Sequence, residues 1–247
     1  MEKSNWYMKA AAGLLVLSGV IYLVHYAVFR DPHHIFIYMV GDFAFLPLEV
    51  LIVSLIIDRL LKAREKRLIS EKMKMVESAF YSEVGSSLLR RLLLFDPSPD
   101  EKTGLFENVA AWEPGEFQAV KSRLSEMDFK ADASLSDISD LNTFLKSKRD
   151  FLLSLLENPY LMEQEALSDI LWAVFHLTDE LEAREKIPNL PLSDLNHLSN
   201  DLSRVYSLTV SHWLDYMAHL EAKYPYLFSL AARLNPFKPD ASALILD

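Results

Sequence analysis

Two apolar runs near the N-terminus constrain this chain more than any other feature. Residues 10–29 (AAAGLLVLSGVIYLVHYAVF) hold His25 as their only acid–base group near neutral pH, and residues 35–57 (IFIYMVGDFAFLPLEVLIVSLII) are interrupted only by Asp42 and Glu49. As helices they extend about 30 and about 35 Å, enough to cross a hydrocarbon core of about 30 Å. The link Arg30-Asp31-Pro32-His33-His34 is short, so the pattern predicts an antiparallel transmembrane hairpin over residues 1–58. A cleaved signal peptide does not account for the first run. It is too long, no small-x-small cleavage site follows, and a second span comes at once.

The charge distribution orients the hairpin. The net charge is −10, yet residues 1–74 carry 10 basic and 7 acidic side chains, against 15 and 28 in residues 75–247. Arg59, Lys62, Arg64, Lys66, Arg67, Lys72 and Lys74 follow the second span, against one arginine in the hairpin loop. The positive-inside rule therefore predicts both termini in the cytoplasm of a prokaryote, with a multi-pass protein in its inner (plasma) membrane. The basic run is the ordinary cytoplasmic flank and can also touch anionic headgroups.

The acidic total argues against a nucleic-acid partner. The absence of cysteine removes disulfides, thiolate nucleophiles and Cys-ligated metals. Six dispersed glycines exclude a phosphate-cradling loop, and no G-x-S-x-G or S-x-x-K element is present. The expectation is a non-enzyme without an organic cofactor.

The second span has no stop signal at its inner end. Leu60, Leu61, Ala63, Leu68, Ile69, Met73, Val76, Phe80, Val84, Leu88 and Leu89 continue an apolar stripe with spacings of three and four. This predicts one helix leaving the membrane as an amphipathic stalk over 59–93. Such a stripe needs cover, either from the cytosolic domain or from the same helix of another subunit in a coiled coil. A connector over 94–111 holds Asp96-Pro97-Ser98-Pro99-Asp100 and Gly104.

An antiparallel helical bundle over 112–236 follows, with a tail over 237–247. Its predicted helices run from Glu113-Pro114 to Met127, from Ser136 to Leu156, from Met162 to Arg184, and from a Ser193 cap to Ala222. The breakers between and after them are Asn158-Pro159, Ile187-Pro188-Asn189-Leu190-Pro191, Tyr224-Pro225 and Asn235-Pro236. The fold class is all-α.

The phrases NPYLMEQEALSDILWAVFHLTDEL and YPYLFSLAARLNPF, with SEVGSSLL in the stalk, resemble uncharacterised prokaryotic integral membrane proteins with two spans and a helical cytosolic domain. The resemblance implies architecture and brings no activity with it.

Asp42 and Glu49 are the residues most in need of explanation. Ionisable groups in a membrane span cost at least about 2.5–3.5 kcal/mol at the bilayer centre, so they pair, face water or bind ions. Seven residues apart, they share a helix face about 10 Å in length, which also carries Leu46 and Val53. Pro47 between them frees the carbonyl of residue 43. His25 lies at a depth of about 6 Å and Asp42 at about 10 Å, so those two can pair across the hairpin, whereas Glu49 lies about 21 Å deep with no basic residue at its level.

The leading expectation is therefore a homo-oligomer of four to six chains. Its second spans would line a cation pathway with acidic rings at 42 and 49, binding Ca²⁺, Mg²⁺ or a monovalent cation. The alternative is a non-conducting, membrane-anchored interaction or signalling module. In the bundle, His176 and Glu180 (i, i+4), His197 and Asp201 (i, i+4), and His212, Asp215 and His219 (i, i+3, i+7) are weak candidates for metal ligands. Surface pairing or core hydrogen bonding is the commoner use of such spacings.

Overall fold

The computed structural model describes residues 2–124, 126–161, 164–184 and 190–244, and every regular element among them is helical. The chain divides into two compact units, 1–66 and 67–247.

In the first unit, α1 (Glu2–Phe29) ends at Arg30, whose φ of 52° lies in the left-handed region and stops the helix. Asp31 then caps α2 (Pro32–Phe80): its Oδ1 accepts from the backbone N–H groups of His33 at 3.0 Å and His34 at 3.1 Å. Proline at the first helical position has no N–H to leave unpaired, so α2 begins earlier than the apolar run that marks it. The helix continues through Pro47. Trp6–Phe29 and the run beginning at Pro32 are each long and apolar enough to cross a membrane, and none of their most apolar stretches is buried. Of the described side chains before residue 58, only those of His25 and Ile35 are even half-buried.

The second unit starts inside α2. From Met73 onward one face becomes buried, through Met73, Glu77 and Phe80. Helical structure then passes without interruption through a π-turn (Tyr81–Gly85), α3 (Ser86–Leu92) and a 3₁₀ turn (Leu93–Phe95). The cover for this part of the stripe comes from the same chain, since α3 and the π-turn pack on α8. Leu60, Leu61 and Leu68 remain exposed.

Residues 94–111, expected as a connector, fold into α4 (Pro99–Phe106) and a 3₁₀ turn (Val109–Ala111), with Phe106 and Val109 wholly buried. The buried Lys102 Nζ lies 3.4 Å from Asp96 Oδ2, and Asp96 Oδ1 accepts from Ser98 N–H at 2.7 Å, which fixes the turn out of the long helix.

Then come α5 (Pro114–Leu124), α6 (Ile138–Leu156), α7 (Glu165–Glu182), α8 (Leu192–Lys223) and α9 (Pro225–Arg233). The predicted α6 cap at Ser136 is corrected to Asp137, whose carboxylate accepts from Ser139 N–H at 2.8 Å. Ser193 is not a cap either. Pro191 holds the extended conformation that precedes α8, so Ser193 falls within the first helical turn. The predicted α7 start at Met162 and the breaker residues Ile187, Pro188 and Asn189 lie outside the described residues.

Helix α8 occupies the centre, packing on α3, α5, α7, α9 and the π-turn. Its Trp213 meets Phe106 edge-on at 5.8 Å and Phe237 at 5.2 Å. Asn235, fully buried, donates to Phe106 O at 2.7 Å and accepts from Phe237 N–H at 3.0 Å. Phe237, expected to open a free tail, is thereby held in the core.

Gly85 marks the tightest approach in the long helix. A Cβ there would stand 2.6 Å from Tyr81 Cδ1 and 2.9 Å from Phe80 Cε1, and both rings are fully buried. Gly85→Ala is expected to destabilise by about 1–3 kcal/mol through overpacking, lowering the melting temperature of the detergent-solubilised chain by several degrees. Gly104→Ala, with nothing within 4 Å of its Cβ position, should leave it unchanged or slightly higher.

Candidate functional site

The π-turn forms one wall of a cleft of about 460 Å³ in the second unit. A π-turn widens the helix by one residue per turn, a feature found frequently at functional sites. Here it turns Tyr81 and Ser82 toward the cleft, with Ser78 before and Ser86, Ser87 and Arg90 after; α9 supplies an apolar opposite wall from Leu227 to Leu234. Among the described residues Arg90 makes one hydrogen bond, to Leu234 O at 3.3 Å, and no ion pair. A cation, several hydroxyls and a leucine wall suit a ligand with an anionic head and an apolar body.

Behind this wall lies a buried polar network. Glu77, 3% exposed, sits 2.7 Å from Lys74 Nζ through Oε2 and 3.1 Å from His212 Nδ1 through Oε1. Tyr81 donates its hydroxyl proton to Thr209 O at 3.0 Å and stacks on Tyr216 at 4.7 Å. The ring Nδ1 of His212 also lies 3.4 Å from the Tyr81 hydroxyl, and its approach to Glu77 Oε1 lacks hydrogen-bond geometry, so that buried oxygen has no hydrogen-bond partner among the described residues. Burial, reinforced by Lys74, holds the His212 imidazole down at about 4, so it is neutral at pH 7. Burial also raises Glu77, against the opposing pull of Lys74. One turn along α8, Asp215 pairs with Lys121 of α5.

The predicted residues therefore separate. Asp42, Leu46, Pro47, Glu49 and Val53 all lie exposed on α2 in the first unit, and no ion pair joins Asp42 or Glu49 to a described residue. His25 packs on Phe29 with ring centroids 4.8 Å apart and lies 6.3 Å from the ring of His34 rather than pairing with Asp42. His212 joins Glu77, Asp215 joins Lys121, and His219 rests against Tyr224 at 5.8 Å, so these three form no common site. His176 and Glu180 of α7 meet His197 and Asp201 of α8 instead.

Sequence reasoning missed Glu77, Tyr81, Arg90 and the serines. Ser82, Ser86 and Ser87 fall in the phrase SEVGSSLL, where small polar residues interrupt an otherwise apolar stripe, whereas Glu77, Tyr81 and Arg90 lie outside it and carried no signal.

Comparison with known proteins divides the chain at nearly the same place as its contacts do. One family model, MJ1433 N-terminal helical domain, matches residues 2–61, and another, the C-terminal helical domain of uncharacterized protein MJ1433, matches residues 69–233. The uncharacterized protein MJ1433 of Methanocaldococcus jannaschii is 39% identical over 247 residues, covering 100% of this chain and 98% of its own length. No solved structure matches.

The buried network makes stability depend on pH. A histidine at about 4 when folded and about 6.5 when unfolded binds its proton first in the unfolded state. Stability is therefore full above about 6.5 and falls as pH drops to about 4, by up to about 3 kcal/mol. Glu77, raised by burial, works in the opposite sense and offsets part of this. His212→Gln keeps a polar group beside Glu77 but no titrating ring. Its melting temperature should fall less than that of the wild type between pH 7 and pH 4.5 in parallel thermal melts.

Proposed function

We propose that this chain, which belongs to the MJ1433 family, is a membrane-anchored helical binding module. In this reading α1 and the first part of α2 lie in the bilayer, and the C-terminal domain binds an acidic amphiphile in the cleft beside the π-turn. The observation that carries the reading is the continuity of a single helical run, Pro32–Phe95. Its first part is apolar except for Asp42 and Glu49, and its last part is both the core of the C-terminal domain and the wall of the cleft. Arg90 would meet the anionic head, and the α9 leucines the apolar body.

A non-conducting module is favoured over a channel because the stripe from Met73 to Leu92 finds its cover inside its own chain. That removes one of the two reasons to invoke a neighbouring subunit. The cation-pathway reading keeps one supporting observation. Asp42 and Glu49 stand two turns apart on one helix face without a basic partner among the described residues. An oligomer conducting through that face is the second reading.

The absence of cysteine makes the placement directly testable. His33→Cys in intact cells should react with a membrane-impermeant maleimide, whereas Ser242→Cys should react only after lysis. Equal labelling of both, or recovery of the wild type in the soluble fraction, would defeat the membrane reading. For the cleft, a dansylated fatty acid should bind the purified full chain, and Arg90→Glu should weaken it at least tenfold.

The second reading has its own measurement. If an oligomer conducts, Glu49→Gln should abolish cation flux into liposomes or alter its selectivity while leaving the assembly intact, and Asp42→Asn should have the smaller effect. A monomer in several mild detergents, with no flux in the wild type, would eliminate it.

A further inference from the structure

Helices α7 and α8 face each other with the same short pattern, a histidine followed four residues later by a carboxylate: His176 and Glu180 on one, His197 and Asp201 on the other. Spacing of i, i+4 puts each pair on one helix face, and the packing of α7 on α8 brings the faces together. The Nε2 of His197 lies 3.4 Å from Asp201 Oδ2 and 3.5 Å from Glu180 Oε2. The Nε2 of His176 lies 3.8 Å from Asp201 Oδ2 and 3.9 Å from Glu180 Oε1.

These separations are informative in two ways. All exceed the 2.7–3.2 Å of an N–H···O hydrogen bond, so the imidazoles do not satisfy the carboxylates. Those of His197 are close to the spacing of about 3.3 Å between neighbouring ligands of a tetrahedral ion with bonds of about 2.05 Å, and those of His176 are wider, so its ring closes in on binding. The ligand atoms of Glu180, His197 and Asp201 all lie within 4.8 Å of one another.

A second, independent observation concerns Asp201. Its side chain is 8% exposed, yet Oδ2, the oxygen both histidines approach, is buried without a hydrogen-bond partner. A buried carboxylate oxygen left unpaired is costly, and a bound cation removes that cost. The surroundings hold the ligands in place. Arg184 chelates Asp194 at 2.7 and 2.8 Å and reaches Glu180 Oε2 at 2.9 Å, fixing one carboxylate oxygen and leaving Oε1 toward His176. Both histidine side chains are about half exposed, and His176 also lines an open cavity of about 420 Å³, which gives an ion a way in.

We propose that His176, Glu180, His197 and Asp201 bind one divalent transition-metal ion of the zinc type, cross-linking α7 to α8. Two imidazoles and two carboxylates favour Zn²⁺ or Co²⁺ over Ca²⁺ and Mg²⁺, which take oxygen ligands. The proposal does not depend on the membrane placement or on the cleft.

The test uses the full chain, purified without a histidine tag, stripped with chelator and titrated with ZnCl₂. Expected are one Zn²⁺ per chain by calorimetry and by elemental analysis after dialysis, and a melting temperature raised by about 5 °C or more at 100 times Kd. Co²⁺ should give the intense visible absorption of a tetrahedral site. His197→Gln, at a half-exposed position, should keep its helical circular dichroism and lose at least tenfold in affinity. Asp201→Asn should lose as much, and His33→Gln should lose nothing. Less than about 0.2 Zn²⁺ per wild-type chain overturns the proposal. So does binding that His197→Gln leaves unchanged while its helical signal shows it folded.

Discussion

A helix cannot suit hydrocarbon and water with the same surface, and the run from Pro32 to Phe95 changes its surface twice. Up to about residue 57 it is apolar but for Asp42 and Glu49, and from 58 to 72 charges dominate it. From Met73 a single buried face takes over. The rest of the chain answers this sequence of surfaces. The C-terminal helices bury the last stretch, while the first retains side chains such as Phe43 and Phe36 at 72% and 59% exposure. A contiguous apolar surface of that extent is unusual on a water-soluble monomer.

Burial of the last stretch is not a simple continuation of the stripe. The apolar stripe takes in 73, 80, 84, 88 and 89, and the buried set adds Glu77, Tyr81, Gly85 and Leu92. The π-turn shifts the phase, so that Phe80 and Tyr81 both turn inward with their rings 5.1 Å apart. Only a residue without a Cβ leaves room for those rings beside position 85. Tyr81, once inside, needs a partner for its hydroxyl, and Thr209 O supplies it. Glu77, one turn earlier, pairs with Lys74 through Oε2 and turns Oε1 to within 3.1 Å of the His212 ring. The cleft is thus a by-product of re-phasing: the same turn that buries the tyrosine leaves Ser78, Ser82 and Ser86 along its open side.

What was legible in the sequence follows the range of the interactions. Periodicity and breakers are local, and they gave the all-helical class, the two apolar helices and the long helix beyond them. The side-chain pairs His176–Glu180 and His197–Asp201 were legible as pairs, since i, i+4 spacing is local too. Their meeting was not, because it depends on how α7 packs on α8. Glu77 and His212 belong to elements far apart in the chain; His212 stood out only with Asp215 and His219 of its own helix, and Glu77 not at all. The π-turn has no compositional mark beyond small residues in SEVGSS. The caps were missed for a smaller reason: Asp137 and Ser136 are adjacent and equally suited, and at α8 the rigid backbone of Pro191 outranked the hydroxyl of Ser193.

Helix α8 buries two ionisable side chains, Asp201 and His212, in a stripe that is mainly apolar, with Leu198, Leu202, Val205, Val210 and Leu214. Asp201 reaches toward α7 and His212 toward α2, separated by about 16 Å along the axis. Apolar packing alone is permissive about register, because leucine and valine at i, i+3 and i+4 tolerate sliding by a turn at modest cost. A buried carboxylate does not, since a shift leaves it without partners in a poorly polarisable surrounding. Polar contacts at two levels of one helix fix its position along both neighbours at once. Glu77, beside His212, sets α8 against the helix that continues from the apolar unit, and Asp194, chelated by Arg184, sets the start of α8 against the end of α7. The polar residues that look like liabilities in the core of this domain are therefore the ones that specify how its helices align.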